Sequence, residues 1–210
     1  MKLLLLGATG LVGGRTLQLA LADRAFSQVI APTRTPLAAS AKLVNPIAQE
    51  LEDFTSLLER DKPNAVICTL GTTQAKAGSK SAFRHVDHDL PIAFAKAAQA
   101  AGTEAFAIVT FMGASAHSRF FYSRTKGEVE RDIEAIGLRS LTICRPGLIG
   151  GERNETRHAE AAALSITRFL GPILPRRLRI NPADAIAKAL IASVIVARPG
   201  CRRIQSDEMN

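Results

Sequence analysis

Short apolar runs alternate along the chain with stretches whose apolar positions recur every three to four residues. Residues 2–6, Lys-Leu-Leu-Leu-Leu, predict a buried strand, and residues 11–22 a helix with a Leu/Ala face. Further strands are predicted at 28–33, 42–44, 65–69, 104–110 and 139–144, and helices at 54–60, 81–101 and 122–136. Pro91 predicts a bend or interruption inside the 81–101 helix, and Gly102 and Gly137 supply helix ends. Such alternation demands parallel strands joined by helical crossovers, hence an α/β fold with an open, doubly wound parallel sheet covered on both faces. After Gly151 the pattern changes. Helices are predicted at 159–170 and 183–196, separated by a break at Gly171-Pro172-Ile173-Leu174-Pro175 and the basic run Arg176-Arg177-Leu178-Arg179; residues 202–206 predict an edge strand. The expectation is a single domain over 1–210, with 151–210 forming a small helical C-terminal cap on the substrate side.

Composition narrows the class. With 210 residues, 47% hydrophobic and 22% charged, the chain is neither disordered nor collagenous. That composition also excludes a disulfide scaffold, and the chain's three cysteines, an odd count with no metal-ligand spacing and two of them in apolar runs, predict a reducing, cytoplasmic setting. The apolar start is too short for a signal peptide, and residues 189–197 fall far below a bilayer span, so no membrane partner is expected. The net charge of +8 comes without Trp, with a single Tyr, and without a basic stretch interleaved with aromatics, which argues against nucleic acid. An anionic ligand accounts for the charge equally well.

The chemistry begins where the first strand ends. Gly7, Thr9, Gly10, Leu11, Val12 and Gly13 belong to the run Gly-Ala-Thr-Gly-Leu-Val-Gly, placed between an apolar strand and an amphipathic helix. In that context Gly10 lets the backbone approach a pyrophosphate, Gly13 lets the helix pack on the strand, and the helix N-terminus offers N–H donors to phosphates. This is the dinucleotide site of a Rossmann-type fold; a tight turn without a ligand is the plainer alternative. At the end of the second strand a carboxylate would hold the ribose 2′-OH of NAD, whereas Arg accommodates a 2′-phosphate. The sequence has Thr33-Arg34-Thr35 there, and Arg15 follows the glycine turn, so NADP(H) is preferred over NAD(H). A solvated surface role for Arg34 stays open. Asn45, after the third strand, is a candidate for the adenine. Tyr122 and Lys126, four apart, share one helix face. An ammonium there favours the phenolate and makes the phenol a usable general acid. Thr110, at the end of a strand twelve residues earlier, offers a hydroxyl to a substrate carbonyl.

These residues together resemble the short-chain dehydrogenase/reductase superfamily, and more closely its compact atypical branch that includes the Tat-interacting-protein-like reductases. The resemblance spans nearly the whole chain. It rests on the glycine run, Cys68-Thr69-Leu70-Gly71-Thr72-Thr73, Phe83-Arg84-His85-Val86-Asp87, Tyr122 through Glu130, and Arg145-Pro146-Gly147. It implies Tyr122 as proton donor, Lys126 on the nicotinamide ribose, and Thr110 in place of the usual serine. It further implies Leu70, Gly71 and Thr72 along the cofactor, and Pro146, Gly147 and Leu148 bordering the nicotinamide. Phe111 stands where many relatives have a small or hydroxylated residue, and Asn45 where the superfamily commonly has an adenine-binding Asp.

Two tempting clusters read as structural. His85-Val86-Asp87-His88-Asp89 offers ligand atoms but no second cluster to close a site, so no metal is expected. The run at 176–179 reads as a solvated turn. The expected function is an NADP(H)-dependent oxidoreductase acting on a small carbonyl or alcohol as a monomer or homodimer. Phe111, Phe120, Phe121 and Phe169 would hold a flat apolar substrate, and Arg157 would meet a carboxylate. An NADPH-sensing interaction protein and a nucleotide-sugar epimerase or dehydratase remain alternatives.

Overall fold

The computed structural model describes residues 1–50, 54–150 and 179–210. The predicted 159–170 helix, the break after it, Arg157, Phe169 and most of the basic run lie outside the described residues. Seven parallel strands form the central sheet in the order β3-β2-β1-β4-β5-β6-β9. They are β1 Lys2–Leu6, β2 Gln28–Ile30, β3 Leu43–Val44, β4 Ala65–Cys68, β5 Ala105–Val109, β6 Ser140–Arg145 and β9 Gly200–Gln205. A second, two-stranded parallel ladder pairs β7 Ile149–Gly150 with β8 Asn181–Pro182. The architecture is the Rossmann-type α/β fold that the sequence predicts.

The near-continuous apolar strands are explained by cover on both faces. Leu3 and Leu5 of β1 join Val29, Ala65, Ile67, Ala105 and Ala107 on one face, under helices α1 (Leu11–Ala22) and α7 (Ala183–Val196). Leu4 and Leu6 join Ile30, Val66, Cys68, Phe106 and Ile143 on the other, under α2 (Ser56–Asp61), α5 (Leu90–Ala100) and α6 (Phe121–Glu134). Each strand therefore feeds two cores through its two-residue period. Burying a Phe or Leu side chain stabilises by about 1.5–3 kcal/mol, and Leu3 to Leu6 are all fully buried.

Boundaries shift where backbone donors are missing. β2 ends at Ile30 instead of residue 33, because Pro32 has no N–H; pairing resumes as an isolated bridge between Thr33 and Ile47. The predicted 81–101 helix is continuous with an irregularity before Pro91: after α3 (Gln74–Ala77) come α4 (Lys80–Arg84), a π turn at His85–Asp89, and α5. The Leu90 N–H reaches back five residues to the His85 carbonyl, opening the helix where the Pro91 ring would meet the carbonyl four residues earlier. The C-terminal strand lies at the sheet edge beside β6, as its sequence predicts.

Candidate active site

The strand order reverses between β1 and β4, so the chain leaves their C-terminal ends toward opposite faces of the sheet and opens a crevice there, the place where open α/β sheets bind ligands. A cleft of about 1250 Å³ occupies it. Its floor is the glycine turn. Gly7 has φ of +84°, and a Cβ on it would lie 2.8 Å from the Thr69 carbonyl. A Cβ on Gly13 would overlap the Gly7 carbonyl oxygen, so only glycine lets α1 lie this close to β1. Gly10 caps α1 without a side-chain hydrogen bond, and the first turn carries no acidic residue. The leading N–H groups and positive dipole end of α1 are thus left to the cleft.

Thr9, Gly10, Leu11 and Val12 line the cleft on this side, and Leu70, Gly71 and Thr72 line it beyond the end of β4. Thr69, not singled out in the sequence, braces the two turns: its hydroxyl donates to the Leu6 carbonyl at 2.7 Å. Gly147 and Leu148 form part of the wall after β6, whereas Pro146 is buried and its carbonyl accepts from the Met112 N–H. Buried Asn181, also missed, fixes that wall. Its Oδ1 accepts from the Gly147 N–H at 2.7 Å and from the Ser206 hydroxyl at 2.8 Å. These cradles, the uncapped helix and the volume of the cleft fit a dinucleotide.

Tyr122 stands in the cleft wall, 36% exposed, with its ring against Phe83 and edge-on to Phe111 at 5.3 Å. One turn on, Lys126 is buried and its Nζ lies 2.7 Å from Asp87 Oδ1. Burial opposes the Lys126 charge, but Asp87, with smaller help from Tyr122, outweighs it and raises the ammonium above the ordinary lysine value. Asp87, brought inward by the π turn, also accepts the Thr72 N–H at 2.8 Å through Oδ2. The sequence placed it in a cluster read as structural and did not assign it to the site, although its spacing in Phe83-Asp87-Leu90-Phe94 places a carboxylate on an apolar helix face. Cys68 borders the pair, and burial pushes its thiol up to about 12.

Two expectations need correction. Thr110 lines the cleft, but its hydroxyl donates to Glu130 Oε1 at 2.6 Å. That carboxylate is buried and held by Arg145, so the single hydroxyl proton is committed and is not offered to a substrate carbonyl. Asn45 lies outside the cleft lining. Its Nδ2 donates to the Ala31 carbonyl and the Thr33 hydroxyl, and its Oδ1 accepts from the Leu37 N–H, so the amide pins the loop after β2 and is not turned toward an adenine. Arg34 is exposed on that loop, outside the cleft lining. Arg15 is at the cleft mouth and pairs with Asp184 at the start of α7, 2.6 Å away. The residues at 85–89 diverge: Asp87 faces Lys126, while His88 sits between Asp89 and Asp132.

Among the described residues no helix is long and apolar enough to cross a membrane. The profile of the HIM1 family matches residues 37–174. Protein fmp52, mitochondrial, of Aspergillus clavatus is 38% identical over 93% of this chain and 88% of its own length. Among solved structures, the Bordetella bronchiseptica enzyme WbmH in complex with NAD+ superposes with a TM-score of 0.74 at 15% identity, covering 98% of this chain and 75% of that one. A short chain dehydrogenase family protein of Francisella tularensis gives 0.67 at 14% identity, covering 99% and 98%. The cytoplasmic expectation is overturned by the curated relatives, which are named mitochondrial.

Proposed function

This chain belongs to the HIM1 family, and from that premise we propose that it is an oxidoreductase of the short-chain dehydrogenase/reductase type. In this reading it uses a nicotinamide dinucleotide, NADP(H) in preference to NAD(H), on a small carbonyl or alcohol. One observation carries the proposal: Tyr122, buried Lys126 and the uncapped N-terminus of α1 open into one cleft. The nicotinamide, when bound, supplies or accepts the hydride. The chain's own residues do the rest. The glycine turn and the start of α1 bind the phosphates. Tyr122 gives a proton to, or takes one from, the substrate oxygen, and Lys126 keeps a positive charge beside it. Phe111, packed on Tyr122, narrows the substrate side toward a flat apolar molecule. Arg34, exposed beyond β2, is the residue offered to a 2′-phosphate. The closer likeness to the Tat-interacting-protein-like reductases belongs to the same reading.

NADPH oxidation by the purified protein across aldehydes, ketones and quinones tests this. Tyr122→Phe is expected to lower turnover by about 100-fold or more; turnover untouched by that change overturns the proton-donor role. A second reading, an NADPH sensor, is favoured by the Thr110 hydroxyl being committed to Glu130. It predicts NADPH binding with a silent substrate panel.

A further inference from the structure

The pairing of two buried charges at the cleft bears on the direction of the reaction. An ammonium alone beside a phenol favours the phenolate. Lys126 is not alone: Asp87, with its side chain fully buried, lies 2.7 Å from Nζ. Held that close, the two charges act on a neighbour as a dipole, whose field falls off faster than that of a single ion. Burial keeps water and salt from screening either one. The Thr72 N–H at 2.8 Å anchors the carboxylate from the loop after β4. Among the described residues, the groups facing Lys126 are Asp87 from the π turn, Tyr122 from its own helix and the neutral Cys68 thiol from β4. Phe83 and Phe111, which pack on the Tyr122 ring, carry no charge. Arg124 and Arg84, on the same side of the fold, are paired with Glu128.

We propose that Asp87 is a positioning residue that sets the working state of Tyr122: its carboxylate holds Lys126 and offsets its charge, so that Tyr122 stays a neutral phenol at neutral pH and the site is poised as a proton donor for carbonyl reduction. This deepens the oxidoreductase reading and rests on it. In the step it supports, the Tyr122 Oη proton would pass to the carbonyl oxygen as a bound nicotinamide supplied the hydride to the carbonyl carbon, giving the alcohol and the oxidised cofactor, and the Tyr122 phenolate would regain its proton from solvent.

The chain has one Tyr and no Trp, so the near-ultraviolet phenolate band of the whole protein reports Tyr122 alone, without any substrate. The wild-type titration midpoint is the reference against which the variants are read. Asp87→Asn strips Lys126 of its counter-charge and is expected to lower the midpoint by about one pH unit or more. Asp87→Glu should restore it. The neutral pair Asp87→Asn/Lys126→Met is expected to titrate within about one pH unit of the wild type. It serves as the deciding comparison if circular dichroism shows that Asp87→Asn alone does not fold. An unchanged midpoint in folded Asp87→Asn, or a wild type far below the neutral pair, overturns the proposal. Failure of the oxidoreductase reading shows separately, as absent turnover with the titration intact.

Discussion

At the residue scale the glycine turn is the most exacting part of the molecule, and two neighbours in it behave oppositely. A methyl on Gly13 would run into the Gly7 carbonyl, a backbone atom that cannot swing aside, whereas a methyl on Gly14 would meet only the Ala8 carbonyl at an ordinary 3.5 Å. Gly13→Ala is therefore expected to destabilise by about 1–3 kcal/mol, as overpacking does. Gly14→Ala, inside α1, should be neutral or stabilising by up to about 1 kcal/mol. Urea titrations of the two variants check this, and equal losses would sink the steric argument. Side-chain commitments were harder to foresee. Tyr122 and Lys126 were legible because four-residue spacing puts them on one face. The roles of Asp87, Glu130 and Asn181 were not, because each acts through a partner far along the chain: Lys126 lies 39 positions after Asp87, and Gly147 34 positions before Asn181. The same blindness made Thr110 look like a donor and Asn45 like an adenine ligand.

At the element scale, helices and strands with strong apolar periods were legible nearly to the residue. β1, α1 and α7 have the predicted bounds. The two-residue strands β7 and β8 were invisible, since Ile149-Gly150 and Asn181-Pro182 continue no apolar run and are set by the loops around them. Long-range ion pairs tie elements together in ways only the fold reveals. Arg203 of β9 grips Glu134 at the end of α6. Its hydrogen bond holds the Glu134 carboxyl below the usual value of 4.5. A carboxyl held low contributes stability that is present above its unfolded value and is lost as pH falls through the folded one. The melting temperature is therefore expected to drop below about pH 4.5 more steeply in the wild type than in Arg203→Met. Parallel melting curves would refute the clamp. The π turn is a second tie. It presents Asp87 inward while making room for Pro91, so one local irregularity serves both helix continuity and the cleft.

At the scale of the whole molecule, a ligand that bridges α1 and the loops after β4 and β6 joins segments far apart in sequence, so binding should report as global stability. At about 100 times its dissociation constant such a ligand adds about 2.7 kcal/mol, which raises Tm by roughly 5–10 °C in a chain of this size. NADPH is expected to give the larger shift and NADH the smaller at equal concentration. Arg34→Ala should bring the two together, and equal shifts in the wild type would argue against a 2′-phosphate contact. The sheet order also has a kinetic side. β1 sits in the interior of the sheet, and its second neighbour, β4, is more than sixty residues away. Until that neighbour arrives, four consecutive leucines have no partner on one edge, and Leu4 and Leu6 lack the cover of α5 and α6, which come later still in the chain. Folding should accordingly be slow and governed by distant contacts. The segment most deeply buried in the native state is then the one that most needs shielding from other chains while folding is under way.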